Sequence, residues 1–202
     1  MLHVLDVEWI ATSNALGTLV RYADDLVILC ATRHAAMEAQ RRVETILAPL
    51  GLRLHPDKTR IVHLARGAGG FDFLGFHHRK TVSRYRGRRY LTKWPSQHAM
   101  ASIRAKIRLR TDRRFASREL HDVVADLNPV LRGWGAYFRY GNSSRTFAAI
   151  DEYVYWRMTK LARVKYATRG RLRTTRFTYV WLHDLGIHRL TGNVRSWALT
   201  HA

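Results

Sequence analysis

Asp24 and Asp25 are adjacent carboxylates in the short link Ala23-Asp24-Asp25, between two β-prone runs at 18–22 and 26–31. Neighbouring ionised carboxylates repel, and a divalent cation relieves that repulsion. Mg²⁺ takes oxygen ligands from one or two carboxylates together with substrate phosphates and water. The chemistry such a pair suits is phosphoryl transfer, in which one metal activates a hydroxyl nucleophile and a second holds the leaving pyrophosphate. An Asp-Asp pair is also ordinary turn composition, since Asp bonds its own backbone and tolerates turn geometry. The other reactive residue types are sparse or scattered. Cys30 is the single cysteine, which excludes a disulfide framework and a cysteine-built zinc site. Eleven histidines are spread along the chain, and His77-His78 is the one adjacent pair, read as ordinary surface histidine.

The elements that would carry the acidic link are legible from periodicity. The two β-prone runs read as a hairpin with an acidic turn. Thr32 is a suitable N-cap for a helix over about 33–50, with Ala36, Val43, Ile46, Leu47 and Leu50 on one side, and Gly51 suits the stop. Short strands are expected at 52–54 and 60–65, separated by a turn at His55-Pro56-Asp57, and a flexible loop at 67–70. Residues 71–78 and 85–91 are again β-prone. After Pro95 the period changes to helical. Met100, Ile103 and Ile107 mark one helix, and Leu120, Val123, Val124 and Leu127 mark a second, which Pro129 is expected to break and restart. The restarted helix would hold Val130, Leu131, Trp134, Tyr137 and Phe138 and stop near Gly141. Ser143 or Ser144 would cap another, with Phe147, Ile150, Val154 and Leu161 on its apolar side. Residues 170–202 give no clear pattern. The fold class is α+β: a β-rich first part to about residue 94, then an all-helical basic part over 95–202.

The 202 residues carry 35 Lys and Arg against 15 Asp and Glu, a net charge of +20. The excess is not shared evenly. Residues 1–78 hold 8 basic and 8 acidic residues, and the remaining 27 basic and 7 acidic residues all lie beyond. An anion that neutralises the second part also relieves its self-repulsion. Aromatics interleave with the cations at Arg84-Tyr85-Arg86, Arg139-Tyr140, Trp156-Arg157 and Lys165-Tyr166, pairing charges for phosphates with flat rings for bases. With 22 aromatic residues the chain is not a solvated tail. Its longest apolar run, 26–31, is far short of the roughly 20 residues of a membrane span. No signal peptide is expected from the first residues. A protein of a reducing compartment with nucleic acid as its partner is the composition's reading.

The string Leu19-Val20-Arg21-Tyr22-Ala23-Asp24-Asp25-Leu26-Val27-Ile28-Leu29-Cys30 resembles the Tyr-Ala-Asp-Asp hairpin of group II intron reverse transcriptase/maturases. Further blocks follow in the family's order. Gly51-Leu52 with Leu54, then Lys58-Thr59, resembles the next block. Gly70, then Phe73-Leu74-Gly75-Phe76, resembles the primer-grip block. Leu127-Asn128-Pro129, Arg132-Gly133-Trp134, Tyr137-Phe138 and Phe147 resemble the maturase-specific region, and Leu185-Gly186-Ile187 through Val194 resembles the family's terminus. The resemblance spans nearly the whole chain, from about Leu5.

It implies a partial polymerase palm over 1–94 and a helical thumb and maturase-specific domain over 95–202. Asp24 would be the shared metal ligand and Asp25 a secondary one, with Mg²⁺ as the metal. Lys58 would contact an incoming phosphate or protonate pyrophosphate, unless it is simply a solvated turn lysine. Phe73, Leu74, Gly75 and Phe76 would form the primer-grip-like strand, with Phe73 and Leu74 in the core and Gly75 functional. Trp134, Tyr137 and Phe138 are read as core. Arg132, Arg139, Arg145, Lys160, Arg163, Lys165, Arg169, Arg171, Arg173 and Arg176 are the candidate RNA contacts. The family's third palm carboxylate lies on an earlier strand. Of the 23 residues before Asp24 only Asp6 and Glu8 are acidic, and their setting, Leu5-Asp6 with Trp9, resembles the helix that precedes the hairpin. The chain is therefore expected to lack the fingers and first half of the palm, to bind Mg²⁺ weakly, and not to polymerise alone. The expected partners are structured intron RNA, an RNA/DNA hybrid and a complementing N-terminal half, with no membrane, in a bacterial-type cytoplasm. Four readings compete: a reverse transcriptase completed by a second chain, a stand-alone maturase-like RNA chaperone, a remnant without function, and a generic histone-like basic protein.

Overall fold

The computed structural model describes residues 2–64, 69–82, 87–166 and 176–195. The chain divides into two compact units, Met1–Leu74 with Arg79–Tyr90, and Gly75–His78 with Leu91–Ala202. The architecture is mixed: small antiparallel sheets and a helical second unit.

In the first unit, α1 (His3–Thr12) and α2 (Arg33–Leu47) flank a hairpin of β1 (Thr18–Tyr22) and β2 (Asp25–Leu29). Leu5 and Trp9 of α1 are buried with Ala39, Val43, Ile46 and Leu47 of α2, so a small apolar cluster sits beside the hairpin. Leu19, Leu26 and Ile28 of the hairpin pack against this cluster half-buried, which fixes which face of the ribbon is covered. The start of α2 follows its sequence signal: Thr32 accepts a bond from the Ala35 amide at 3.1 Å. A 3₁₀ turn, Ala48–Leu50, continues to Gly51, whose φ of 68° is the left-handed stop.

The expected strands at 52–54 and 60–65 do not form over the described residues, which end at 64 before the next gap. The segment runs irregularly because a strand exists only through a ladder partner, and no described edge pairs with it. The turn between them is present, with the Lys58 and Thr59 amides donating to the His55 carbonyl at 3.1 and 2.9 Å. The run at 71–78 is not one strand. A turn at Leu74-Gly75 divides it into β3 (Phe71–Phe73) and β4 (Phe76–Val82), and β5 (Arg89–Pro95) completes a sheet ordered β3-β4-β5. Leu74 and Gly75 both take positive φ, 49° and 75°, the geometry that suits a two-residue hairpin link.

The second unit is built on α3 (Gln97–Arg110), α4 (Leu120–Phe138), α5 (Ser144–Lys165) and the short α6 (Tyr179–Asp184), the last lying in the stretch that gave no clear pattern. Ser96 caps α3 through the Ala99 amide at 3.2 Å, and Thr178 caps α6 through the Trp181 amide at 3.2 Å. Ile103, Ile107, Phe147, Ile150, Val154 and Leu161 are all buried, as their spacing requires. Pro129 does not break α4; the helix runs through it. An interior proline costs about 3 kcal/mol or more. Leu120, Val123, Val124, Leu127, Leu131 and Phe138 are buried along the same helix. At about 1.5–3 kcal/mol for each such side chain, that burial outweighs the proline. Ser143 occupies the N-cap position of α5, yet its hydroxyl donates to the Phe138 carbonyl at 2.8 Å and so closes the end of α4 instead.

Candidate functional site

The acidic link is tighter than its sequence suggested. Tyr22 and Asp25 are paired across the ribbon, so β2 begins at Asp25 and only Ala23 and Asp24 form the turn. Ala23 takes a φ of 53°, a conformation normally left to glycine. Arg21 holds this turn. Its Nη1 donates to the Ala23 carbonyl at 2.7 Å, while Nε and Nη2 donate to the two carboxylate oxygens of Asp6 at 2.8 and 2.5 Å. The Arg21 hydrogen bonds hold the Asp6 carboxyl below the usual carboxylate range. At the base of the ribbon the Trp9 indole donates to the Gly17 carbonyl at 3.0 Å. A Cβ at Gly17 would lie 2.6 Å from the Leu29 carbonyl oxygen, so only glycine fits the junction.

Asp24 and Asp25 are both exposed at the tip. Both Asp6 oxygens accept from Arg21. Among the described residues no three His, Cys, Asp or Glu side chains are grouped closely enough to hold a metal ion. What the tip itself presents is two adjacent, exposed carboxylates, Asp24 and Asp25. Cys30 is half-buried, and desolvation pushes its thiol pKa up, away from ligand chemistry.

Lys58 stands exposed in the turn that follows His55. The primer-grip-like residues are divided differently from expectation. Phe76 is the buried one, while Phe73 and Leu74 are half-buried. In the second unit Phe76 meets the Phe138 ring edge-on at 4.8 Å and the Tyr137 ring at 5.5 Å, with Lys93 Nζ 5.1 Å above its own ring. Gly75 is exposed, but its carbonyl is already engaged by the Ser96 amide at 2.8 Å. Phe138 lies in the core as expected, Trp134 is half-buried and packs against it, and Tyr137 is 53% exposed.

The candidate RNA contacts fall into three groups. Arg132, Arg145, Lys160 and Arg176 are exposed. Arg176 lies over the Tyr166 ring, 4.9 Å from its centroid. Arg139, Arg163 and Lys165 are half-buried. Lys165 is tied to the Arg118 carbonyl at 3.0 Å and to Glu119 at 3.1 Å, and Arg139 to the Tyr140 hydroxyl at 2.7 Å. Arg169, Arg171 and Arg173 lie outside the described residues.

Sequence reasoning passed over the residues that hold these elements together. Asn128 donates to the Gly186 carbonyl at 2.9 Å and accepts from the His188 amide at 2.7 Å, joining two of the motif blocks. Asp151 accepts from the Leu190 and Thr191 amides at 2.9 and 2.8 Å. Arg157 donates to the Thr111 hydroxyl and carbonyl, both at 3.0 Å. A polar residue on an otherwise apolar helix face, as Asn128 is, was the available signal.

Residues 3–78 match the reverse transcriptase (RNA-dependent DNA polymerase) family, and residues 100–181 match the group II intron, maturase-specific domain. No curated relative matches the chain. Among the described residues no helix is long and apolar enough to cross a membrane.

Proposed function

The chain belongs to the group II intron reverse transcriptase/maturase family, and from that membership we propose that it binds structured intron RNA through its basic helical part and helps the RNA reach its splicing-active fold. The observation that carries this reading is the charge asymmetry. Of the 27 basic residues beyond residue 78, 18 lie within the maturase-specific match at 100–181, together with 6 of the 7 acidic ones. Within it Arg132, Arg145, Lys160 and Arg176 face solvent. We assign residues 1–94 to the end of a palm and 95–202 to a thumb and maturase domain, acting in the cytoplasm. Folded RNA would be recognised by shape, phosphates and exposed loop bases.

The test is binding of a folded intron RNA and of a random-sequence RNA of equal length, each at 50 and 200 mM salt. The folded RNA should bind tighter, and with about 6 phosphate contacts its affinity should fall on the order of 10³-fold between the two conditions. Equal affinity for both RNAs, or a flat salt response, would overturn the proposal in favour of generic charge.

A second reading is favoured by the Asp24-Asp25 tip itself, which a pure RNA chaperone leaves without use. Reverse transcriptases depend on divalent metal, and Mg²⁺ at Asp24 and Asp25 is the form that dependence would take here. Those two carboxylates need a third from a complementing N-terminal half before polymerisation can run. A complemented complex that extends a primer on RNA, and loses extension in Asp24→Asn, would establish it.

A further inference from the structure

A groove of about 380 Å³ runs between α3 and α4. That is within the roughly 300–1,000 Å³ of small-ligand pockets. Ile103, Pro129 and Val130 give it an apolar floor, and Lys106 and Arg110, one helical turn apart on α3, give it a cationic wall. Its lining holds no carboxylate. Trp134 bounds it too, and the indole N–H of that residue is buried with no protein partner. Gly133 leaves the groove open: a Cβ built there meets nothing within 4 Å. Glycine in a helix interior is about 1 kcal/mol worse than alanine. Local helix stability does not explain Gly133, whereas an unobstructed groove does.

We propose that this groove seats one unpaired nucleotide of bound RNA, with its base or ribose on the Pro129 and Val130 floor and its phosphate on Lys106 and Arg110. Charge complementarity and volume select this occupant: an apolar floor edged by two cations matches a flat ring joined to an anion. The inference rests on the RNA-binding reading above and gives it a specific contact. It also assigns a role to Arg132-Gly133-Trp134 that the exposed arginine alone does not explain.

The experiment measures fluorescence anisotropy of a labelled single-stranded RNA of about 12 nucleotides, beside a blunt RNA duplex of the same length. Gly133→Leu should fill the groove and weaken the single strand on the order of tenfold, the worth of one stacked base. The duplex should be unaffected, and the melting temperature should not fall. Lys106→Ala with Arg110→Ala should weaken the single strand and flatten its salt dependence. A folded Gly133→Leu that binds the single strand like the parent overturns the proposal. In the unaltered protein, 4-thiouridine placed in the same strand should cross-link to the peptide containing 129–134. Absence of that cross-link overturns the proposal even where Gly133→Leu fails to fold. If the parent protein binds neither these probes nor the folded intron RNA, the RNA-binding reading itself falls; if it binds the folded RNA but not the single strand, only the groove falls. Binding by the parent with no effect at Gly133 removes only the groove. Displacement by an acidic peptide but not by nucleotide would reassign the groove to a protein partner.

Discussion

Arg21 grips both carboxylate oxygens of Asp6 and, with its remaining nitrogen, the Ala23 carbonyl. One guanidinium thus ties the helix before the hairpin to the turn that presents Asp24. A planar fork suits this task, because its three nitrogens reach three separate oxygens, whereas the donors of a lysine all radiate from one nitrogen. The same bonds give Asp6 a part in orienting the acidic tip.

The ion pair should be visible in pH dependence. Asp6 has its pKa lowered in the folded protein, so it stabilises the fold above the ordinary carboxylate value near 3.9. That contribution is lost as pH falls through the lower folded value. Asp6→Asn should therefore melt below the parent at neutral pH, and the gap should close under acid, as thermal scans from pH 7 downward would record. A gap independent of pH would remove the ion pair as its cause.

Two glycines should respond unequally to alanine. At Gly17 the new Cβ meets the Leu29 backbone oxygen at 2.6 Å, which cannot move without the ribbon. Gly17→Ala should cost about 1–3 kcal/mol. At Gly135 the clash, also 2.6 Å, is with the end of the Leu190 side chain, which is fully buried and yields only by repacking its neighbours. Gly135→Ala gains helix propensity of about 1 kcal/mol against that repacking and should cost less than Gly17→Ala. Urea denaturation of the two variants checks the contrast.

Ala23→Gly should raise stability. The left-handed conformation costs an alanine roughly 1–2 kcal/mol, partly offset by the greater freedom of glycine in the unfolded chain. A net gain of about 0.5–1 kcal/mol in denaturant midpoints is expected. A loss would mean that the alanine methyl makes a contact of its own.

Asp24→Asn separates the two functional readings. RNA affinity of the isolated chain should change by less than about 0.5 kcal/mol, as for an exposed substitution away from the binding surface. Anisotropy titration of the folded intron RNA checks this, while primer extension by a complemented complex should collapse.

The hairpin, the α2 cap and the apolar stripes of α3, α4 and α5 were all legible in the sequence, because each rests on local pattern and burial. Pro129 was misread for the opposite reason: its effect is local, while the burial that overrides it comes from residues distant in sequence such as Phe147 and Leu190. The strands at 52–54 and 60–65 failed because β propensity says nothing of whether an edge is available. The Asp24-Asp25 tip was legible as a motif. Its support by Arg21 and Asp6 was not, since a bond across 15 positions leaves no periodic trace. The groove beside Gly133 likewise depends on two helices meeting.

Asn128 bonds a carbonyl and an amide two residues apart, Gly186 and His188, much as a facing peptide group would. Four positions on from Gly186, the Leu190 amide is fixed in turn by Asp151. Together they act as a ruler on this stretch of chain. A residue inserted or deleted between 186 and 190 puts one of the two side chains out of step, whereas a change of length beyond Thr191 disturbs neither. The short stretch is therefore constrained by its count of residues as well as by its buried side chains, and a change of length there should be tolerated less than one beyond Thr191.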